Sequence, residues 1–285
     1  MLGTDVVNVD DMDAIVNAFN NDDMETFMEA SGQSGNSNRQ VGLPRLNINY
    51  DAETEDGRSL PRGSWKMYLD GRFIYAEEVH VQFILRTYEY SVWDQEAGSF
   101  TAKSVQKPTL NGMFPDTLGG NKCGRLTREE EDALSKDDIN YLNSRAVVCN
   151  QVMYGKITGL FKTADGEEVQ VANQPMVAYF KRSGFKPISD FIASLSKQKK
   201  LMQKCLVSLT TAKQKKGSVT FWIPVPNLYQ EVTILDEDKE LMAMFAETVK
   251  AHNESVMNEH REAVKLIADD DDIDLAADFD DANAA

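Results

Sequence analysis

Histidine and cysteine are scarce in this chain, with three of each among 285 residues, which limits the metal and redox chemistry open to it. The cysteines, Cys123, Cys149 and Cys205, are widely separated and form no CxxC pair, whereas a zinc site usually contains two ligands close in sequence. No HExxH motif and no serine-nucleophile motif is present. We therefore expect free thiols in a reducing compartment, no metal, no cofactor and no enzymatic activity.

Long apolar runs are also missing. No stretch of about eighteen apolar residues occurs, so we expect no transmembrane span. The first residues, MLGTDVVNVDD, contain neither the basic region nor the apolar core of a secretory signal, so we expect a cytoplasmic protein.

Basic residues are absent from both ends of the chain. Residues 1–30 contain eight acidic and no basic side chains, and eight aspartates lie between Asp269 and Asp281. These two segments account for the whole net charge of −16, so the remainder is neutral. Within that remainder, residues 181–216 carry ten basic groups and one acidic group, a local charge that attracts polyanions.

The pattern of apolar residues divides the chain into four parts. Residues 1–42 predict a short acidic amphipathic helix, at 10–30, and a flexible linker rich in serine, glycine and asparagine. Residues 43–234 predict a β-rich body, and residues 235–268 a long helix. Residues 269–285 predict a disordered acidic tail, because they have too few apolar side chains to form a core.

Short runs rich in aromatic and β-branched residues predict eight or nine strands in the body, with a tight turn at Asp70–Gly71. Helices are predicted at residues 127–146, where Thr127 and Glu130 have capping-box spacing, and at residues 187–206. Antiparallel hairpins with inserted helices indicate an α+β fold, mainly antiparallel β. An OB-like Greek-key barrel with inserted helices fits this pattern, and a β-sandwich fits nearly as well.

The longest predicted strand, residues 79–93, suggests a binding surface. Alternation gives it an apolar core face and a second face that mixes rings with a cation. Such a mixture suits single-stranded nucleic acid, because bases stack on rings at about 1–3 kcal/mol each while cations neutralise phosphates. The alternative is that tyrosines cover this strand as they do in many sheets. The core face would hold Val81, Phe83 and Leu85, and the second face Gln82, Arg86, Tyr88 and Tyr90.

The same mixture recurs on other predicted strands. The pairs are Lys66 with Tyr68, Tyr154 with Lys156, and Tyr179 with Lys181, next to Arg182. The stretch TTAKQKKGS predicts a hairpin tip suited to phosphates, with Lys213, Lys215 and Lys216. The alternative for the basic segment is a helix with a solvated lysine face.

The stretch GGNKCGR, residues 119–125, weakly resembles a phosphate-binding loop. It lacks the GxxxxGK[ST] spacing and the strand-to-helix context, so we expect an ordinary mobile loop near nucleic acid.

The β body, the ring-and-cation strands, the basic segment and the terminus DDDDIDLAADFDD together resemble phage-encoded single-stranded DNA-binding proteins. The resemblance implies an OB fold over residues 43–234 that coats single-stranded DNA without sequence preference in replication, recombination and repair, in the host cytoplasm. It also implies an acidic tail that competes with DNA and binds replication or recombination partners. Tails of this family often end on an aromatic residue, whereas Phe279 is followed by DDANAA. The tail residues concerned are Asp269, Asp270, Asp271, Asp272, Asp274, Asp278, Phe279, Asp280 and Asp281.

Two other functions remain open from the residues alone. A viral structural or assembly protein would oligomerise through the β domain and use its acidic ends for solubility. A nuclease or recombination accessory enzyme would use aspartates and a divalent metal. Charge segregation favours DNA binding, because a structural protein does not need a strongly basic segment between two acidic ends.

Overall fold

The structure, a computed structural model, describes residues 42–94 and 98–281, with side chains described as far as residue 268. The helix predicted at 10–30 and its linker lie outside the described residues. The strands are β1 (Arg45–Ile48), β2 (Trp65–Leu69), β3 (Arg72–Ala76), β4 (Val79–Asp94), β5 (Ser99–Lys103), β6 (Val148–Thr163), β7 (Glu168–Lys181), β8 (Cys205–Lys216) and β9 (Val219–Glu231). The helices in this described part are α1 (Arg128–Ala133), α2 (Ile139–Ala146), α3 (Phe185–Lys197) and α4 (Asp236–Asp281).

All nine strands join one sheet in the order β3-β2-β1-β7-β6-β4-β8-β9, with β5 paired to β4. Every pairing is antiparallel except that of β1 with β7, which confirms the mainly antiparallel α+β class. The strand β3 also pairs with the far end of β6. After β4, β6 and β7, the chain passes through α3 and returns as β8 beside β4, which is a Greek-key order.

The hydrophobic core collects alternate side chains of the strands and one face of α3. Trp65 and Phe161 are fully buried within it, and Ile188, Ile192 and Leu195 of α3 close over them at helical spacing. Burying each large apolar side chain contributes about 1.5–3 kcal/mol, so this core fixes the position of α3 on the sheet.

The strand β4 contains one β-bulge, at Ile84. Its pairing with β6 shifts by one residue between Phe83 and Leu85. Because side chains alternate between the two faces of a strand, one extra residue reverses the faces of all positions that follow.

Because of this bulge, the two faces of β4 differ from the predicted ones. Arg86 and Tyr88 share the face of the core residue Phe83, towards α3, and are not on the face of Gln82. Arg86 Nη2 lies 3.3 Å from the Ser189 hydroxyl of α3. Gln82, on the opposite face, approaches α4 instead.

The helix predicted over residues 127–146 is in fact two helices. The capping box of Thr127 and Glu130 is confirmed at the start of α1. Asp138 then begins a second helix, because its carboxylate accepts a hydrogen bond from the Asn140 backbone amide at 2.8 Å.

The helix predicted over residues 187–206 begins two residues earlier and ends at Lys197. Lys199 follows in the left-handed region, with φ of 58°, a conformation that terminates helices. The end of the predicted helix, from Cys205, is the first part of β8.

The last helix, α4, extends to Asp281, so the backbone of most of the segment predicted as disordered continues this helix. Lengthening an existing helix adds one hydrogen bond for each residue ordered, which favours its continuation. The partner-binding role of the tail stays a prediction, since its side chains lie beyond the described ones.

Several contacts fasten α4 to the body. Phe245 is fully buried. The Asn253 amide exchanges two hydrogen bonds with the Gln106 backbone, at 2.6 and 3.0 Å. Further along, His260 Nδ1 lies 2.9 Å from the Asp116 carbonyl oxygen. The helix is therefore part of the folded body along much of its length.

Candidate nucleic-acid interface

A cleft of about 770 Å³ opens where the end of β4 and the start of β6 meet the N-terminus of α3. Its lining contains five cationic side chains, two aromatic rings and no carboxylate. We call it the basic cleft. The cations are Lys122, Arg125, Arg145, Arg182 and Lys186, and the rings are those of Tyr90 and Phe185.

Acidic groups behind the lining neutralise part of this charge. Glu131 lies 3.3 Å from Arg125 and 3.6 Å from Arg145. Lys186 pairs with Asp190 one helical turn along α3. The basic cleft therefore has five cations against two carboxylates and keeps a net positive charge.

Two of the cations, Lys122 and Arg182, have no ion pair with any described residue. Both also have left-handed backbones, with φ of 54° and 49°. Residues other than glycine adopt this region at a cost of about 1–3 kcal/mol, and such residues are concentrated at binding and active sites. The two cations without a carboxylate partner are thus also the two whose backbones the fold constrains.

The loop GGNKCGR is held from within by a buried carboxylate. Asp116 is fully buried, and its Oδ1 accepts hydrogen bonds from the amides of Leu118 and Gly120 at 3.0 Å each. Its Oδ2 accepts from the Cys123 amide at 2.6 Å. Hydrogen bonds to a charged acceptor contribute about 1.5–3 kcal/mol each, so this carboxylate sets the loop conformation that places Lys122 at the cleft.

The rings of the cleft are anchored at one edge and half-buried. The Tyr90 ring packs edge-on against Phe114 at 5.0 Å, and Lys122 Nζ lies 5.8 Å from its centroid. Burial, with a smaller contribution from Cys149, raises the pKa of Tyr90 to about 12, so its phenol is neutral at physiological pH. A neutral ring beside a cation can stack on a nucleobase.

Of the predicted binding residues, the basic cleft contains Tyr90 and Arg182. Arg86 and Tyr88 lie between the sheet and α3. The Arg86 guanidinium is 4.8 Å from the Tyr88 centroid, and burial lowers the pKa of Arg86. Tyr88 is buried, so these two residues support the site from below and do not line it.

Tyr154 and Lys156 are not available at the surface, contrary to their predicted role. Lys156 Nζ forms an ion pair with Asp238 of α4 at 2.5 Å. The Tyr154 ring packs against Phe245 at 5.4 Å, and its hydroxyl donates to Gln106 Oε1 at 2.9 Å. The helix α4 thus supplies the anion and the ring that a nucleic acid was predicted to supply.

Tyr179 and Lys181 lie near the end of β7. The Arg45 guanidinium covers the Tyr179 ring, 4.3 Å from its centroid, which adds a cation that the sequence did not indicate. The Lys181 side chain reaches solvent, but neighbouring groups displace part of its hydration. This partial desolvation, followed by the repulsion of Arg182 and Arg45, lowers the pKa of Lys181.

Lys66 and Tyr68 lie on the β2–β3 hairpin. Lys66 is paired with Asp51 at 2.7 Å and lies over the Phe73 ring, which also contacts Tyr68 at 5.0 Å. Three of the exposed lysines of the basic segment lie on the last residues of β8, before the two-residue turn at 217–218: Lys213, Lys215 and Lys216.

Sequence reasoning missed most of the cleft. Two missed cations, Lys122 and Arg125, stood in GGNKCGR, where the rejection of a phosphate-loop motif removed them from consideration. Arg145 ends a helix, and Phe185 and Lys186 begin another. No local pattern joins these segments, because the sheet brings them together across the chain.

Comparison with known proteins found no matching family model, no similar curated sequence and no similar solved structure. Among residues 42–94 and 98–281, no helix is long and apolar enough to cross a membrane. The described side chains also contain no group of three or more His, Cys, Asp or Glu residues placed to hold a metal ion.

Proposed function

We propose that the protein binds single-stranded DNA without sequence preference and that the basic cleft is its principal contact surface. The observation that carries this proposal is the lining of the cleft, which combines five cations and two rings without a carboxylate. A polyanion would replace the missing counter-charge of Lys122 and Arg182 and release its own condensed ions.

The lining would act on a DNA strand in two ways. Lysine and arginine side chains would neutralise phosphates along the backbone, while Tyr90 and Phe185 would stack on bases. Neither contact reads the edge of a base, so sequence specificity is not expected. A cleft that held only cations for the phosphates would bind duplex DNA equally well. The aromatic rings favour an unpaired strand, because only its bases are free to stack on them.

The strand order supports an OB-like reading of the body. We propose that β4, β6, β7, β8 and β9 correspond to the five strands of an OB barrel, with α3 between the third and fourth. In OB folds, nucleic acid lies on the second and third strands, between the first and fourth connections. The cleft borders the β4–β6 connection, and the exposed lysines of β8 border the β8–β9 connection.

We further propose that the protein protects single-stranded DNA during phage replication or recombination, as the resemblance of its body and tail implies. The aspartates of residues 269–281 would then compete with DNA for the basic cleft and bind partner proteins when displaced. Competition would require residues 269–281 to leave the helical conformation of α4, after which a flexibly tethered segment has an effective concentration of about millimolar.

The proposal is tested by titrating a labelled oligothymidylate of about 16 nucleotides, at the upper end of OB site sizes, in about 50 mM salt. The double variant Lys122→Glu, Arg182→Glu is expected to lose about 10- to 100-fold in affinity and to show a weaker salt dependence. The control is Lys162→Glu, an exposed lysine on the far end of β6 that pairs with Glu168. Equal losses in both variants, or no binding by the wild-type protein, would remove the proposal.

The tail is tested separately by deleting residues 269–285. Deletion is expected to tighten binding in low salt and to have little effect in high salt, because screening weakens a charged competitor. Unchanged affinity of the deleted chain in low salt would exclude competition while leaving DNA binding intact.

A further inference from the structure

A second group of rings and cations lies near the turn of the β8–β9 hairpin. The Trp222 indole of β9 lies directly on Gly63, where a Cβ atom would come within 2.1 Å of its Nε1. Tyr50 packs edge-on against Trp222 at 5.7 Å and is about half exposed. The Arg62 guanidinium lies 5.8 Å from the Trp222 ring.

The hairpin extends this group with lysines on the same face. Lys213 is directly opposite Trp222 across the β8–β9 ladder, and Lys215 is two residues further along β8. Residues opposite one another, and residues two apart, project from the same face of a sheet. We call Tyr50, Arg62, Trp222, Lys213 and Lys215 the hairpin surface.

The only acidic residue on β8 and β9 is Glu231, which lies at the end of β9 far from the hairpin surface. Residues 205–230 contain three lysines and no aspartate or glutamate. The side chains of Lys213 and Lys215 are exposed and have no ion pair with any residue that the structure describes. Their charge therefore remains available to a ligand.

The hairpin surface adjoins the basic cleft. Gly184 follows Arg182 of the cleft by two residues, and a Cβ atom at Gly184 would lie 3.5 Å from the Pro224 ring, in van der Waals contact. Pro224 is also close to the hairpin surface, because Trp222 lies two residues away along β9, a distance of about 7 Å. One strand leaving the cleft past Arg182 would meet Trp222 next.

We propose that the hairpin surface is a second base-stacking and phosphate-binding subsite for the same strand of nucleic acid. The proposal rests on the proposed function of the basic cleft and extends it to a longer path. A short oligonucleotide would occupy the cleft alone, whereas a longer one would also stack a base on Trp222 and Tyr50 while Lys213 and Lys215 neutralise its phosphates.

The test compares oligothymidylates of about 4 and about 16 nucleotides, the limits of OB site sizes. Trp222→Leu is expected to weaken binding of the longer oligonucleotide about tenfold and to leave the shorter one within about twofold. The matched control is Trp93→Leu, since Trp93 is another indole that reaches the surface, and it packs on Phe100 beside β5.

A second variant avoids any effect of Trp222 on folding. Lys213→Gln with Lys215→Gln changes only exposed side chains and should lower the salt slope for the longer oligonucleotide by about 1.4, with no change for the shorter one. In the Trp93→Phe protein, the longer oligonucleotide should also quench part of the remaining indole emission, because Trp222 is only partly buried.

The outcomes separate the two proposals. If the longer oligonucleotide binds the wild-type protein and is lost on charge reversal in the cleft, but both hairpin variants bind it normally, the second subsite is wrong and the cleft stands. If the wild-type protein binds neither oligonucleotide, the proposed function itself fails.

Discussion

The basic cleft and the surface beneath α4 are built from the same residue types, cations and aromatic rings. They differ in whether the chain itself supplies the partners of these side chains. Lys156 and Tyr154 are met by Asp238 and Phe245 of the same chain. Lys122 has no ion pair among the described residues. A tyrosine and lysine on neighbouring strand positions therefore indicate a binding site only where the chain does not supply the counter-charge and the ring itself.

The largest effect on stability is expected at the surface beneath α4. Phe245→Ala removes a fully buried ring and should lower the free energy of unfolding by about 3–5 kcal/mol. Urea denaturation measures the loss. Oligonucleotide affinity of the folded variant should stay within about twofold, and a large affinity change would show that α4 shapes the binding surface.

A matched pair of substitutions sharpens the contrast. Lys156→Met leaves the nearly buried Asp238 carboxylate without its partner and should cost about 3 kcal/mol of stability. Lys122→Met should change stability by less than about 0.5 kcal/mol and weaken oligonucleotide binding instead. Denaturation and titration of both variants check this, and equal behaviour would abolish the distinction between the two regions.

The stability of the surface beneath α4 should also depend on pH, because of Glu89. This carboxyl is buried beside His252, with the two groups 3.8 Å apart, and accepts a hydrogen bond from Gln106 at 2.9 Å. Burial raises the pKa of Glu89 despite the opposing influence of His252 and Gln106. Because the folded-state pKa exceeds the unfolded one, this group adds stability as pH falls through the folded-state value and loses it as pH rises.

Glu89→Gln should therefore stabilise the protein at pH 7. The difference in stability between the variant and the wild type should become smaller as the pH falls towards the ordinary carboxyl pKa. Thermal unfolding of both proteins at several pH values measures that difference. A difference that is constant with pH would mean that Glu89 is not protonated in the folded state across that range.

The smallest expected effect lies in the cleft. Glu131→Gln removes the carboxylate shared by Arg125 and Arg145 and should raise oligonucleotide affinity about two- to threefold in low salt. An unchanged or lower affinity would show that neither guanidinium contacts the strand.

Local patterns predicted the strands and the α1 capping box, because these depend on neighbouring residues. The bulge at Ile84 was not predicted, since a single extra apolar residue leaves no mark in a strand as uniformly apolar and aromatic as β4. The partners of Lys156 were also missed, because Asp238 lies 82 residues away in the chain. Only the sheet topology shows which cations remain unpaired.

Tyr90 and Arg182, which line the basic cleft, were predicted as binding residues from alternation and local charge. Tyr90 lies on the same face of β4 as Arg86 and Tyr88, as predicted. The three side chains differ in burial, because α3 covers Arg86 and Tyr88. Depth depends on the packing of a helix that alternation within one strand cannot describe.

The buried carboxylate of Asp116 has a consequence for how this surface can vary. It accepts hydrogen bonds from the backbone amides of Leu118, just before the loop, and of Gly120 and Cys123 within it, and from no side chain of residues 118–123. The shape of the loop is therefore set independently of the chemical identity of Lys122. A substitution at Lys122 could therefore change the charge of this surface, and with it the proposed affinity for a polyanion, while Asp116 kept the loop in the same conformation.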